Sequence, residues 1–247
     1  MSQKYIGGFI TKSPVLPAGP YETSIAKGMW TLDQAMQFKK QGLWPTAGNP
    51  APLVPGQAYQ GGFFAGQIST AGNGIADYNL VVGPAASAQN TSKQFRTSNT
   101  SGDPTSVING PANSAAMNDA SHPAAFFCEG LTIGGFSDWY MPAQNELDVC
   151  YYNLKPTTQP NNESWGINAN AVPARASNYT SGTPAQASAT DFQSTGAEAF
   201  IANYYWISAE YSPAPTTAWL MTFYSGQRSD NYKNQSFRVR AIRRVAV

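Results

Sequence analysis

The sequence predicts an α+β fold, and the order of its apolar segments is the reason. Runs typical of strands come first, at 61–68 and 79–82. Two helical patterns follow, within 113–128 and from Pro142 to Lys155, and three further strand-like runs come after residue 200. Strands, then helices, then strands again is the order typical of α+β proteins, whereas alternation would indicate a parallel α/β sheet.

The second helical segment has the clearer pattern. It begins near Pro142, which we expect in the first turn, and ends at Lys155-Pro156. Spacing of i, i+3, i+4 and i+7 gives it one apolar stripe, formed by Leu147, Cys150, Tyr151 and Leu154. In the first segment we expect Asn113 as the N-cap and a kink or break at Pro123, because proline removes a backbone donor.

The late strand-like runs are predicted at Tyr204–Ser208, Trp219–Phe223 and Phe237–Ile242. The last alternates apolar and basic side chains, which predicts a strand with one solvated face. Its arginines form the only basic cluster, and we interpret them as structural ion-pair partners: Arg238, Arg240, Arg243 and Arg244. Polar stretches at about 87–112, 156–200 and 224–235 are predicted to be loops.

Composition indicates a polar but weakly charged surface. Only 12% of the residues are charged, while 13% are aromatic and 42% hydrophobic, and the net charge is +1. Tyr and Trp with Ser, Gly and Asn suit an adaptable binding surface, although an ordinary loop-rich β protein has the same composition. Nucleic acid is not predicted as a partner, because a nucleic-acid binder normally has a broader basic face.

Cysteine, histidine and hydropathy patterns indicate neither a cofactor nor a membrane span. Cys128 and Cys150 are interpreted as buried free thiols, and His122 is the single histidine, too few for a zinc site. No apolar run reaches the length of a membrane-spanning helix. Met1-Ser2-Gln3-Lys4 lacks the apolar core of a signal peptide, so we expect assembly in the cytoplasm.

Residues 1–55 are predicted to be an extended arm, and residues 56–247 one domain. Seven prolines divide the first stretch, so it cannot form a compact sheet. One short helix interrupts it, with Thr31 and Gln34 at capping-box spacing. We interpret this arm as an attachment element that docks onto its own domain or a neighbouring subunit, through Trp30, Leu32, Met36, Phe38 and Trp44.

Four motifs in 56–247 together resemble the Lcl C-terminal domain family, which occurs in phage tail proteins and bacterial surface adhesins. They are Gly61–Gly66, the segment Gly134–Pro142 continued by Asn145-Glu146-Leu147, Tyr205–Glu210, and Arg238–Arg244. The resemblance implies a C-type-lectin-like fold, with two helices, a twisted antiparallel sheet and long loops. We expect structural roles for its signature residues Asp138, Trp139, Pro142, Glu146, Trp206 and Glu210.

The resemblance also suggests where a ligand would bind. In lectin-like receptor binders, loops near the last strands form the ligand face, so the candidate ligand residues are Tyr204, Tyr211, Tyr224, Gln227, Arg228, Asp230, Tyr232, Lys233 and Asn234. A second candidate wall contains Trp165, Asn178 and Tyr179. Gln159-Pro160-Asn161 is similar to half of a calcium-lectin motif, but Asn and Gln alone make a poor calcium cage, and no metal is predicted.

The arm's phrase from Gly28 to Ala35, with Trp44-Pro45, resembles the opening of phage structural and fibre proteins. Together the two resemblances imply a virion protein of a tailed bacteriophage. It would recognise a host-surface glycan or protein without catalysis, as a homo-oligomer with a trimer favoured. The alternatives are a purely structural head, neck or tail decoration and a glycan-degrading enzyme. The enzyme would need two carboxylates facing each other across a cleft.

Overall fold

The computed structural model describes residues 53–247 and, before them, Met36 alone. Residues 54–247 form one compact unit. Its helices are α1 (Ala85–Ala88), α2 (Gly110–Ala116), α3 (Pro123–Glu129) and α4 (Gln144–Leu154), with a 3₁₀ turn at Thr190–Phe192. Its strands are β1 (Ala58–Tyr59), β2 (Gly62–Ile68), β3 (Tyr78–Val82), β4 (Gln89–Gln94), β5 (Ala171–Val172), β6 (Tyr204–Glu210), β7 (Thr217–Thr222), β8 (Arg228–Tyr232), β9 (Ser236–Arg240) and β10 (Ile242–Ala246).

The strands form two five-stranded sheets. The first has the order β1-β2-β3-β10, with β5 also paired to β2, and all its pairs are antiparallel. The second has the order β4-β9-β6-β7-β8, in which only β6 and β9 pair in parallel. β9 and β10 are separated only by Ala241, so the chain passes directly from one sheet to the other.

Strand β6 is buried on both faces. Tyr205 and Ile207 belong to one apolar cluster, which also contains the stripe of helix α4. Trp206 points to the other cluster, where it packs edge-on against Phe95 and Phe237. A strand covered on both sides needs a continuous apolar run rather than alternation, which explains the unbroken sequence Tyr205-Trp206-Ile207.

Most predicted elements are confirmed, and so is the α+β class. The early strands correspond to β2 and β3, and the aromatic late runs to β6 and β7. Helix α4 buries all four residues of its predicted stripe. Pro123 divides the first helical segment, where it occupies the first turn of α3. Cys128 and Cys150 are buried free thiols, as predicted.

Two helix starts were predicted at the wrong residue. Asn109, not Asn113, caps α2, and its side chain accepts a hydrogen bond from the Ala112 amide. Asn113 lies inside that helix, and its amide donates to the Ser106 carbonyl oxygen and to Ser208. Helix α4 begins at Gln144 after the N-cap Ala143, so Pro142 precedes its first turn. Local spacing gives such boundaries only to within about two to four residues.

The late strands also differ from prediction. The run Phe237–Ile242 is two strands, β9 and β10, in different sheets. The prediction that one face of this run is solvated was wrong, because Arg240 is buried. Arg243, just beyond the run, is buried as well. The interpretation as ion-pair partners is confirmed for three of the four arginines, with Arg240 bound to Glu198, Arg243 to Asp138 and Arg244 to Glu146. Among the described residues Arg238 has no ion-pair partner, and its buried Nε has no hydrogen-bond partner.

All three polar stretches predicted as loops contain strands, and the two-residue β5 lies within 156–200. β8 lies within 224–235, and β4 within 87–112. Both are the outermost strands of the second sheet. An edge strand is partly solvated, and polar residues protect it from pairing with other chains. Ser, Asp and Asn in these segments therefore concealed strands that tertiary pairing supports.

Candidate functional site

A cavity of about 270 Å³ opens in the loops that follow β5. It is lined by Tyr152, Arg175, Ala176, Ser177, Asn178, Tyr179, Thr180 and Thr183. Tyr152 comes from helix α4, while the other residues belong to one loop segment. The loop is fixed by the amide of Tyr179, which donates to the Trp165 carbonyl oxygen at 2.6 Å. We call this cavity the Arg175 pocket.

One wall of the Arg175 pocket rests on a buried carboxylate, that of Asp148 in α4. Its side chain is fully buried and contacts the guanidinium of Arg175. Its Oδ2 accepts from Arg228 Nη2 at 3.0 Å and from the Tyr179 hydroxyl at 2.6 Å. Its Oδ1 accepts from Asn168 Nδ2 at 2.9 Å. The helix and three separate loop or strand segments are thereby tied to one side chain.

The ion cluster formed by Asp148, Arg175 and Arg228 carries an excess of positive charge, because two guanidiniums meet a single carboxylate. Burial lowers the pKa of Arg175 and of Arg228 from an ordinary value so high that both stay charged at neutral pH. Burial also raises the pKa of Tyr179, so its hydroxyl stays protonated and can donate to Asp148.

Arg175 lies over an aromatic ring. Its Cζ lies 4.4 Å from the centroid of the Tyr152 ring, a cation–π arrangement. Its Nε donates to the Gly166 carbonyl oxygen at 3.1 Å. The side chain is partly exposed and lines the pocket, and Nη1 is the guanidinium nitrogen that neither Asp148 nor Gly166 engages.

An aromatic row continues from this ion cluster. The Cζ of Arg228 lies 5.3 Å from the Trp165 ring, and Trp165 packs edge-on against Trp219 at 6.4 Å. Trp219 in turn packs edge-on against Tyr211 at 4.6 Å. All three rings are half-buried. The aromatic row therefore connects Trp165, which belongs to the second candidate wall, with Arg228 and Tyr211, which belong to the first group of candidate ligand residues.

The other predicted ligand residues are scattered. Tyr224 and Tyr232 are exposed, at 48% and 55%, and the Tyr224 hydroxyl donates to Gln159 Oε1. The remaining five are half-buried or buried in other contacts, so the 224–235 segment does not present one continuous ligand face. They are Tyr204, Gln227, Asp230, Lys233 and Asn234.

Lys233 and Arg228 lie inside the fold rather than on its surface. Lys233 is fully buried in contact with two carboxylates, and Arg228 is 8% exposed. Their position corrects the expectation that both project from a loop towards a ligand. Each charge is instead held in a polar cluster, as burial of a charge requires.

The Gln159-Pro160-Asn161 segment surrounds a lysine. The Lys155 ammonium donates to the Gln159 carbonyl oxygen at 2.5 Å, to Asn161 Oδ1 at 2.7 Å and to the Pro184 carbonyl oxygen at 3.3 Å. The segment that is similar to half of a calcium-lectin motif thus uses its oxygen atoms to bind the ammonium group of Lys155.

The family signature residues occupy interior and junction positions. Trp139 and Trp206 are buried and donate to the carbonyl oxygens of Phe136 and Lys93. Asp138 binds Arg243, and Pro142 accepts a hydrogen bond from the Ser208 amide.

The two signature glutamates are buried in hydrogen-bond networks. Glu146 accepts from the Ala143 amide at the start of α4, from the Tyr140 hydroxyl and from Arg244. Burial raises the pKa of Glu146 despite Arg244, which acts in the opposite direction. Glu210 contacts Lys233.

Sequence reasoning missed the centre of the pocket: Asp148, Arg175 and Tyr152. One signal was available, because Arg175 is the only basic residue between Pro156 and Gln227. A single arginine in so long a polar segment needs a partner, and that partner is a carboxylate in α4.

The attachment arm lies largely outside the described residues, including Trp30, Leu32, Phe38 and Trp44. Met36 is helical and 49% exposed. Among the described residues, no helix has the length and apolar character needed to cross a membrane.

Fold and pocket together define an α+β domain with a polar, aromatic-walled recess. The model of the Lcl C-terminal domain family matches residues 87–243, more than half of the chain. The chain therefore belongs to the Lcl C-terminal domain family, which suggests a domain of a surface or adhesin-type protein. A comparison with curated proteins gives no match.

Proposed function

We propose that this chain is a virion protein of a tailed bacteriophage, in which a C-type-lectin-like domain recognises a host-surface glycan or protein without catalysis. The observation that carries the proposal is the Arg175 pocket. Family membership supports a surface or adhesin-type role, and the α+β architecture is compatible with the lectin-like scaffold.

The pocket has the groups that bind a saccharide. The Tyr152 ring supplies an apolar surface, and Arg175 supplies the donors of Nη1, because its Nη2 contacts Asp148 and its Nε donates to Gly166. Ser177, Asn178 and Thr180 are exposed at its rim and add hydroxyl and amide groups. A volume of about 270 Å³ is just below that of typical small-molecule sites, so one terminal sugar unit is the expected occupant.

The ion cluster prepares the pocket for binding. Because Asp148 fixes Arg175 and Tyr179 before a ligand arrives, little side-chain entropy remains to be lost. Among the described residues no carboxylate lines the cavity, and Asp148 is fully occupied by its partners. This arrangement favours recognition over glycoside hydrolysis, which needs two available carboxyl groups.

Weak single sites would be multiplied by copy number on the virion. In this proposal the arm, residues 1–55, attaches the domain to other virion proteins. A homo-oligomer, with a trimer favoured, would present several Arg175 pockets at once. The competing role is that of a structural decoration, in which the pocket has no ligand.

The test is binding of the labelled full chain to host cells, with competition against phage adsorption. We expect saturable binding that blocks adsorption. Asn178→Ala and Ser177→Ala alter exposed pocket residues and should weaken binding several-fold. Arg175→Lys keeps the charge but loses the planar fork, and we expect a loss of about tenfold, equivalent to about 1.4 kcal/mol.

Tyr232→Ala is the matched control, because it changes an exposed side chain in the other candidate region. If Tyr232→Ala abolishes binding and the pocket variants do not, the ligand face lies at 224–235. Absence of binding by the oligomeric wild type would contradict recognition and support the structural decoration.

A further inference from the structure

A lysine and two carboxylates are in direct contact at the end of strand β6. Lys233 Nζ lies 2.6 Å from Asp103 Oδ2 and 2.6 Å from Glu210 Oε2. A third acceptor, the Thr100 carbonyl oxygen, lies 2.7 Å from the same nitrogen. The Lys233 side chain is fully buried, and those of Asp103 and Glu210 are 4% and 7% exposed.

The three residues come from distant parts of the chain. Glu210 is the last residue of β6, Lys233 follows β8, and Asp103 lies in the segment between β4 and α2. The Phe95 ring centroid lies 5.8 Å from Lys233 Nζ, and Trp206 packs against Phe95 at 5.6 Å. Aromatic side chains therefore exclude water from one side of the cluster.

The two carboxylates have different partners. Asp103 Oδ1 accepts from Arg96 Nη1 at 2.9 Å and contacts His122 Nε2 at 3.0 Å. Two nitrogen groups thus surround the oxygen that would gain negative charge if the Asp103 carboxyl carbon were attacked. Glu210 Oε2 accepts from the amides of Gly102 and Asp103, at 3.0 Å each, and from Lys233. It is positioned to exchange a proton with the Lys233 nitrogen.

We propose that Lys233 and Asp103 condense to form an intramolecular isopeptide bond, with Glu210 as the proton carrier. A nucleophile, a polarised carboxyl group and an adjacent base in contact are the requirements for acyl transfer. Holding the reactants together gives effective concentrations on the order of 10⁵ M or more in well-oriented intramolecular reactions.

The step balances without any external reactant. Glu210 takes one proton from the Lys233 ammonium, and the freed nitrogen pair attacks the Asp103 carboxyl carbon. Negative charge on Oδ1 is stabilised by Arg96 and His122. The bond from this carbon to Oδ2 then breaks, and Oδ2 leaves as water. This water carries two of the three ammonium protons, and Glu210 delivers one of them. The third proton stays on the amide nitrogen, and Glu210 returns to its starting state.

The ion pair is the reactant state of this step. Burial alone would raise the pKa of Asp103, but hydrogen bonds from Lys233 and His122 lower it. A bridge would join the segment after β4 covalently to the turn between β8 and β9. This fastening is independent of the Arg175 pocket, and the proposed recognition function does not depend on it.

The test is the intact mass of the denatured full chain. We expect the wild type to be lighter than its sequence mass by one water molecule. Trypsin should then release residues 97–175 joined to residues 229–238, because a bridged Lys233 is not cleaved. A wild type at full sequence mass, or a bridge between Lys233 and any other residue, would overturn the proposal.

Three variants test the roles. Lys233→Arg should have its full sequence mass. Glu210→Gln, checked for folding by circular dichroism, should also remain unbridged, and complete bridging in it would overturn the role of Glu210. Asp103→Asn should form the same amide with loss of one ammonia molecule in place of water, so its product should have the mass of the bridged wild type.

Discussion

Arg243 in β10 and Asp138 form a bidentate ion pair, with Nε 2.7 Å from Oδ1 and Nη2 2.9 Å from Oδ2. Arg243 also donates to the Gln60 carbonyl oxygen at 3.0 Å, and its Cζ lies 3.9 Å from the Phe136 ring centroid. Two family motifs far apart in the chain, at 134–142 and 238–244, are therefore joined by one guanidinium. Paired hydrogen bonds of this kind fix orientation as well as adding energy.

Removal of the carboxylate should destabilise the fold. In Asp138→Ala, the buried Arg243 loses its charged partner, but Asp138 is about half exposed, so water can replace part of the interaction. We expect the free energy of unfolding to fall by about 1–2 kcal/mol, measured by denaturant titration. Glu163→Ala, which removes an exposed carboxylate, should change it by less than about 0.5 kcal/mol. Equal effects would contradict a specific role for the pair.

The sequence predicts the elements whose local pattern matches their environment. Helix α4 is recognisable because its buried stripe repeats at helical spacing. Strand β6 is recognisable because an aromatic run of that length suits a strand covered on both faces. The transition between β9 and β10 coincides with a break in the alternation, where Ala241 and Ile242 are both apolar. That break alone does not show that the pairing partner changes.

The site is less predictable because its groups meet only in the folded chain. Asp148 lies in an amphipathic helix, and neighbouring residues give no sign that Arg175 and Arg228 reach it. The polar composition of 224–235 is evident in the sequence, but composition does not distinguish a solvated lysine from Lys233, which contacts two carboxylates inside the fold.

Gly66 is predicted to be a position that tolerates no side chain. It has φ +131° at the irregularity where β2 pairs with β3, and a Cβ there would lie 2.4 Å from Asn153 Nδ2 and 2.7 Å from Val149 Cγ1. Gly66→Ala should therefore force β2 away from α4, with an expected loss of about 2–3 kcal/mol in unfolding free energy.

Gly74→Ala is the matched control for that substitution. Gly74 also has a positive φ, +79°, but a Cβ added there would have no neighbouring atom within 4 Å. Only the backbone cost should appear, about 1 kcal/mol. Thermal or denaturant unfolding of both variants separates the two contributions, and a loss in Gly66→Ala no larger than in Gly74→Ala would contradict the steric argument.

The two thiols should be unreactive in the folded protein. Burial raises the pKa of Cys128, with Glu129 adding to the effect, and burial with Glu146 raises the pKa of Cys150 to about 12. Because the thiolate is the reactive form, we expect no labelling by a thiol reagent without denaturant and labelling of both cysteines in denaturant. Rapid labelling of either one in the native state would show that its helix opens locally.

Asp119 and Glu129 should give opposite pH dependences of stability. Hydrogen bonds from the side chains of Ser121 and His122 lower the pKa of Asp119 to about 2. A depressed carboxyl pKa stabilises the fold above the unfolded-state pKa, and this contribution is lost as pH falls through the folded-state value. The melting temperature of the wild type should therefore exceed that of Asp119→Ala near about pH 5, and the difference should shrink towards about pH 2.

For Glu129 the sign reverses. Burial raises its pKa, and the hydrogen bond with Ser114 offsets only part of that change. The folded state then binds the proton more tightly than the unfolded state, so the stabilising contribution is present at low pH and is lost as pH rises through the folded-state pKa. Glu129→Gln should gain stability relative to the wild type as pH rises from about 4 to about 7. Parallel trends for Asp119→Ala and Glu129→Gln would contradict both assignments, because a general effect of net charge would move the two variants together.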